Sequence, residues 1–315
     1  MVPIAVALTA GRQASFHVQT EYCTPLPPRS SRRAIDVLVP GETYGYTYFD
    51  WPVHAVLYSY ADKTLAAGRS VLAISRLGTG LSGYPHSTQL TAHVSAFVLH
   101  QVIAWARHRG YRQVDVVGHS LGSMIAALDA GTWPRDPTRL VLTGALHATA
   151  VRVAAGSAVR YLFPARQDWL FAGSGLDTGY LTTLPGRRQI AFYHDANPAV
   201  VAYDEAHKDV VSWTEFRTAA EGFLAPAART NPTDPSTAPV LLIVGQDDPM
   251  FCGHAGGLDC ANPVAVRRHE APYYRAAASL TYLSVPVTGH DLALSQTATR
   301  SFQLINQWLT AHGAP

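Results

Sequence analysis

Ser120, His290 and Asp248 are three residue types that together can turn a hydroxyl into a nucleophile. A serine hydroxyl attacks poorly unless a base removes its proton in the same step. An imidazole, with an unperturbed pKa of about 6.5, can take that proton at neutral pH and hand it to a leaving alcohol. A carboxylate behind the ring holds the required tautomer and stabilises the imidazolium.

Each residue occupies a position suited to that work. Ser120 is the centre of Gly118-His119-Ser120-Leu121-Gly122. The β-branched run Val114-Asp115-Val116-Val117 precedes it, and the helix-compatible Ser123-Met124-Ile125 follows. A strand-to-helix turn this tight strains its apex, and glycines two before and two after let strand and helix approach each other. Such a turn lifts the serine Oγ clear of the sheet and aims the Leu121 N–H at a developing oxyanion. Asp248 lies in Gly245-Gln246-Asp247-Asp248-Pro249, just past the apolar run Pro239 to Val244. Asp247 is the competing acid, and Pro249 fixes the turn that carries both. His290 lies in Gly289-His290-Asp291, beyond the run Leu280 to Val285. His119 occupies a variable position of the serine motif.

The elements that must position these groups alternate between strand and helix. Strands are expected at Met1 to Ala10, Ser15 to Tyr22, Ala34 to Val39, Ser70 to Ile74, the run before Ser120, Arg139 to Thr143, Pro239 to Val244 and Leu280 to Val285. Helices are expected around Val53 to Ala67 and Thr91 to Arg109, after Ser120, and at the C-terminus with Phe302, Leu304, Ile305, Trp308 and Leu309 on one face. Strict alternation predicts an α/β fold with a doubly wound, mostly parallel sheet. Pro40-Gly41-Glu42-Thr43 follows the strand Ala34 to Val39, where a second oxyanion donor is expected. The Glu42 N–H is nominated, with Thr43 as the neighbouring alternative. Tyr46, Tyr48, Phe49 and Trp51 either line a pocket or pack this loop on the core.

From His147 to Leu224 strand signals vanish and aromatics are scattered among helical pieces, which predicts an inserted helical lid. The expected organisation is a core of residues 1–146 and 226–315 with a lid of 147–225, joined through a Pro/Thr/Asn-rich linker. Most lid aromatics, such as Phe192, Tyr193 and Trp213, are expected to form lid core, with two or three facing the site.

Composition narrows the partners. The chain has 315 residues, 48% of them hydrophobic and only 15% charged, with a formal net charge of +2. That offers no basic field of the kind that tracks nucleic-acid phosphates. The small cluster Arg29, Arg32 and Arg33 reads as a solvated turn. No apolar run reaches the roughly 18 residues of a membrane span, and the apolar opening reads as a strand rather than an intact signal peptide. Arg76-Leu77-Gly78-Thr79-Gly80-Leu81-Ser82 lacks the third glycine and immediate helix of a dinucleotide loop, so it reads as a structural turn. No cofactor is expected. Cys252 and Cys260 flank a Gly-rich loop able to close a disulfide, leaving Cys23 unpaired. With only His254 and Asp259 nearby, no metal site is expected there. A secreted mature chain with the bridge, or a cytoplasmic protein without it, both accommodate this pattern.

The order Ser120, Asp248, His290, each after a strand, resembles the α/β-hydrolase superfamily, closest in feel to its capped, esterase-like members. The resemblance covers nearly the whole chain and includes Gly118 to Gly122, Gly245 to Pro249, Gly289 to Asp291 and the Arg76 to Ser82 turn. It implies a serine hydrolase, with Ser120 as nucleophile, His290 as general base and acid, and Asp248 as orienting acid. The implied oxyanion donors are the N–H groups of Leu121 and Glu42. The sparse charge and aromatic lid suit a carboxylic ester or lactone of a small, apolar, uncharged molecule. Pro40-Gly41 stands where the family often has His-Gly, and Ser75 where an acidic residue is common. A serine rather than an aspartate at the elbow disfavours dehalogenase or epoxide-hydrolase chemistry. The alternative from another class is a non-hydrolytic ligand-binding or tailoring protein, cyclase- or perhydrolase-like, on the same scaffold.

Overall fold

A computed structural model describes residues 1–26, 34–147, 161–227, 236–253 and 257–313. The Arg29, Arg32 and Arg33 cluster, the first part of the expected lid (148–160), linker residues 228–235 and His254 lie outside the described residues.

In chain order the strands are β1 (Val2–Val6), β2 (Phe16–Cys23), β3 (Ala34–Val39), β4 (Ser70–Ile74), β5 (Gln113–His119), β6 (Arg139–Thr143), β7 (Leu162–Pro164), β8 (Tyr180–Thr183), β9 (Val211–Ser212), β10 (Val240–Gly245) and β11 (Leu280–Val285). The helices are α1 (Ala55–Tyr58), α2 (Tyr60–Ala66), α3 (Ala92–His108), α4 (Leu121–Thr132), α5 (Arg188–Phe192), α6 (Pro198–Ala206), α7 (Trp213–Phe223), α8 (Pro263–Glu270) and α9 (Ala298–Ala311). Eight strands form one sheet in the order β1-β2-β4-β3-β5-β6-β10-β11. The pairs of β2 with β1 and β4 are antiparallel, and the rest are parallel.

The central strands are apolar on both faces because both faces are covered. Alternate residues divide between two cores. Val37, Val39, Val114 and Val116 pack with Leu99, Val102 and Ile103 of α3 and Ile125 of α4. Leu38, Val117, Val141, Leu241 and Ile243 pack with Phe302, Ile305, Trp308 and Leu309 of α9. Each of these large α9 side chains contributes roughly 2 kcal/mol on burial, which holds the C-terminal helix against the sheet. Asp36 and Asp115 are direct cross-strand partners in the middle of this apolar sheet. Two opposed buried carboxylates would repel, and each is neutralised by its own arginine: Arg69 Nε donates to Asp36 at 2.8 Å and Arg139 Nε to Asp115 at 2.8 Å.

Two expectations need correction. The helix expected from Val53 to Ala67 is broken at Ser59, whose backbone is extended and bridges Asp50. Its Oγ instead caps α2 by accepting from the Asp62 N–H at 2.9 Å. The stretch between β6 and β10 is also not purely helical. β7, β8 and β9 form a three-stranded antiparallel sheet beside α5, α6 and α7. Strands of two to four residues are too short to print a period of two on the sequence. No helix among the described residues is long and apolar enough to cross a membrane.

Candidate active site

Ser120 follows β5 at the carboxyl edge of the sheet with φ 50° and ψ −118°, a conformation an L-residue adopts only under constraint. The constraint is steric and hydrogen-bonded. A Cβ on Gly118 would lie 2.6 Å from Ser123 Cα, and one on Gly122 would lie 2.1 Å from the Val39 carbonyl oxygen. Neither position has room for a methyl group. The Ser120 N–H and Ser123 Oγ both donate to the Thr143 carbonyl at 2.8 Å, tying the turn to β6.

Glycines also bring the next two groups together. A Cβ on Gly245 would sit 2.1 Å from the Thr288 carbonyl oxygen, so the loops after β10 and β11 touch only because that side chain is missing. The N–H groups of His290 and Asp291 both donate to the Phe192 carbonyl, at 2.8 and 3.1 Å. This places His290 Nε2 2.9 Å from Ser120 Oγ and His290 Nδ1 2.8 Å from Asp248 Oδ2. The other Asp248 oxygen accepts from the Met250 N–H at 2.8 Å. All three side chains are buried. Asp247 points elsewhere, exposed and 3.9 Å from the ring of His194. Burial pulls the His290 pKa down, but the charge and hydrogen bond of Asp248 outweigh it and leave the pKa above the ordinary histidine value.

The Gly41 loop lies beside the serine, since a Cβ on Gly41 would be 3.2 Å from Ser120 Cβ. Arg76 donates through Nη2 to the Gly41 carbonyl at 3.0 Å, while its Nη1 pairs with Glu215 of α7. Glu215 in turn accepts from Ser95 Oγ of α3 at 2.6 Å. In a trans peptide the N–H points opposite to the C=O, so this grip directs the Glu42 N–H away from Arg76. That N–H makes no hydrogen bond to any described residue. Leu121 is the first residue of α4, where N–H groups lack intrahelical acceptors. Thr43 sits at φ 55°, rare for a β-branched residue, and is held by Arg188 Nη1 at 2.7 Å from its Oγ1. The Glu42 carboxyl is buried, and loss of solvation raises its pKa to about 7 despite nearby His290, Arg188 and Arg76.

Sequence reading missed a second polar chain beneath these groups. His119 Nε2 meets Asp291 Oδ1 at 2.9 Å, its Nδ1 meets Thr143 Oγ1 at 3.0 Å, and its ring stacks on Tyr48 with centroids 4.3 Å apart. Asp291 also accepts from Tyr44 at 2.6 Å, and Tyr44 reaches Asp204, which Arg188 clamps at 2.7 and 2.8 Å. Burial lowers the His119 pKa, favouring the neutral ring. The contacts of Asp291 with His119 and Tyr44 join residues 172 and 247 positions apart, so no local signal marked them.

Other expected features fall as follows. Of the lid aromatics, Phe192 of α5 lies 5.9 Å from the His290 ring, and Phe251, which the sequence did not single out, lies at the same distance. Tyr48, Phe49 and Trp51 are buried in the core. The Arg76 to Ser82 turn closes on itself through Ser82 Oγ to the Ser75 carbonyl at 2.7 Å. Ser75 Oγ accepts from the Tyr46 N–H at 3.1 Å. Cys252 and Cys260 form a disulfide, and Cys23 is free. The donor atoms of His119, His290 and Asp291 are close enough to surround an ion, but each already serves a protein partner.

A family model described as "Alpha/beta hydrolase family" matches residues 37–300. No curated protein matches the sequence. Among solved structures, an esterase from Thermogutta terrifontis is similar at 16% identity with a TM-score of 0.62, covering 100% of both chains. A monoglyceride lipase from Saccharomyces cerevisiae, solved as a soluble variant with a substrate analogue, is similar at 14% identity and a TM-score of 0.63, covering 99% of this chain and 97% of that one. A monoacylglycerol lipase from Paleococcus ferrophilus is similar at 17% identity and a TM-score of 0.60, covering 95% and 100%. At these identities the likeness is one of fold.

Proposed function

We propose that this chain, which belongs to the alpha/beta hydrolase family, is a serine hydrolase cleaving a carboxylic ester or lactone of a small, apolar, uncharged molecule. The observation that carries the reading is the continuous contact Ser120 Oγ to His290 Nε2 to Asp248, at 2.9 and 2.8 Å in a buried setting.

In this mechanism His290 Nε2 takes the Ser120 proton as Oγ attacks the carbonyl carbon. Asp248 keeps the proton of the imidazole on Nδ1 and stabilises the cation that forms. The N–H groups of Leu121 and Glu42 receive the developing oxyanion, each worth roughly 3–4 kcal/mol in comparable hydrolases. The imidazolium then protonates the departing alkoxide, leaving an acyl group on Ser120. His290 next takes a proton from water, which attacks the acyl carbon, and the proton returns to Ser120. Phe192 and Phe251 beside His290 suit an apolar substrate. The names of the structurally similar esterase and lipases accord with ester cleavage.

A fluorophosphonate titration beside Ser120→Ala tests this reading. One phosphonylated serine per chain, lost in the variant, is expected. An unlabelled Ser120 would overturn it in favour of a binding or tailoring role. Chromogenic esters of graded acyl length then read the pocket size.

A further inference from the structure

On the far side of α4 from its serine end, three potential metal donors converge: His100 of α3, Asp129 in the last turns of α4, and Asp136 in the following loop. One donor atom from each lies within 4.8 Å of the other two. His100 Nδ1 meets Asp136 Oδ2 at 2.5 Å. Asp129 is fully buried and no N–H or hydroxyl group of the described residues donates to either of its carboxylate oxygens, while burial and the neighbouring Asp136 carboxylate hold its pKa well above the ordinary value. No lysine or arginine among the described residues pairs with either carboxylate. The Arg107 guanidinium donates instead to the carbonyl oxygens of Arg135 and Asp136, at 2.8 and 2.7 Å. A buried carboxylate with no donor is costly unless something positive or a proton satisfies it.

We propose that His100, Asp129 and Asp136 bind one zinc ion, at a site separate from the catalytic pocket. One imidazole and two carboxylates are a zinc donor set, and water completes four-coordination. Ligands at about 2.0–2.2 Å imply donor separations of roughly 3.4 Å; the three donor atoms already lie within 4.8 Å of one another, and the 2.5 Å contact of His100 with Asp136 would open to admit the ion. The support is preorganised. The His100 ring stacks on Trp133 with centroids 4.4 Å apart and 14° between planes. The connecting turn is fixed by Trp133 N–H to the Asp129 carbonyl at 2.7 Å and Asp136 N–H to the Trp133 carbonyl at 2.9 Å. The side chains of His100 and Asp136 keep 31% and 12% of their exposure, leaving an entry path and room for water. Nine residues of helix separate Asp129 from Ser120, about 14 Å at the usual rise. The ion therefore clamps α3 to α4 and takes no part in the reaction.

The test uses the full chain, stripped with a chelator and titrated with zinc chloride at pH 7.5 in a calorimeter, beside Asp129→Asn and His100→Gln. Expected is one equivalent bound with a Kd of 10 µM or tighter as an order of magnitude, weakened tenfold or more in both variants, and a zinc-dependent rise in Tm in the unmodified chain alone. Equal zinc affinity in all three proteins places the ion elsewhere, for instance at His119 and Asp291, and overturns the proposal. Absence of zinc binding, with Asp129→Asn raising Tm, means that a shared proton joins the two carboxylates and also overturns it. His100 is half-buried, so His100→Gln keeps the test valid if Asp129→Asn fails to fold.

Discussion

Arg76 holds the carbonyl of Gly41 at 3.0 Å while its other terminal nitrogen pairs with Glu215. One buried guanidinium therefore links the loop beside Ser120 to α7, a helix 139 residues away in sequence. The link orients a peptide plane rather than touching substrate, so Arg76 is a positioning residue in the proposed mechanism.

Removing Arg76 alone would strand Glu215 as an unpaired buried charge, costing about 3–5 kcal/mol. The informative variant is Arg76→Met with Glu215→Gln. We expect kcat on a chromogenic ester to fall at least tenfold, on the order of the loss seen when an oxyanion donor is misplaced. KM should stay within about twofold, because ground-state contacts are untouched. A rise in KM with kcat unchanged would show that the Gly41 peptide plays no part in the transition state.

The pH profile reports on His290. Its imidazole must be neutral to accept the serine proton, and Asp248 holds its pKa above the ordinary value. The acid limb of kcat/KM should therefore have its midpoint above about 6.5. In Asp248→Asn the supporting charge is gone and burial dominates, so the midpoint should move below that value, with kcat lower by about 10³–10⁴-fold. Stability runs the opposite way. A raised histidine pKa stabilises the fold fully below the unfolded pKa, and that contribution is lost as pH rises through the folded value.

Glu42 makes a second pH-dependent contribution. Its pKa is raised to about 7 from 4.5 by burial. The folded chain thus holds this proton more tightly than the unfolded chain, and stability declines between those two values as pH rises. Glu42→Gln removes the penalty. Its Tm should exceed that of the unmodified chain at pH 8 and match it near pH 4, with a difference of up to about 3 kcal/mol. Because the Glu42 charge also raises the His290 pKa, the acid limb of kcat/KM should shift slightly downward in the variant.

The Cys252–Cys260 bridge closes a short loop that begins where Asp248 ends its turn. The Cys252 N–H donates to the Asp248 carbonyl at 2.9 Å, and Phe251 between them packs on His290. With a sequence separation of 8, loop-closure entropy gives the bridge about 2–3 kcal/mol. Replacing both cysteines by serine should lower Tm by roughly 5 °C and reduce kcat by loosening Asp248. Thiol titration of the denatured, unreduced chain should find one reactive group, Cys23.

Local chemistry was legible from residue order alone. The glycines flanking Ser120, the apolar runs of β3, β5, β10 and β11, and the single apolar face of α9 are short-range patterns, because a tight turn, a buried strand and an amphipathic helix constrain neighbours a few positions apart. Those patterns named Ser120, His290, Asp248 and the Gly41 loop as the groups to watch. They left Asp247 and Asp248 as alternatives, and only the packing of the Gly245 loop on Thr288 turns Asp248 toward His290. The three-stranded sheet of β7, β8 and β9 was invisible because its strands are shorter than the period that would reveal them. The grip of Arg76 on Gly41, the His119–Asp291 pair 172 residues apart and the meeting of His100 with Asp129 and Asp136 were equally hidden. A buried polar group takes its partner from whatever the folded chain brings within about 3 Å, and that choice belongs to tertiary packing rather than to spacing along the chain.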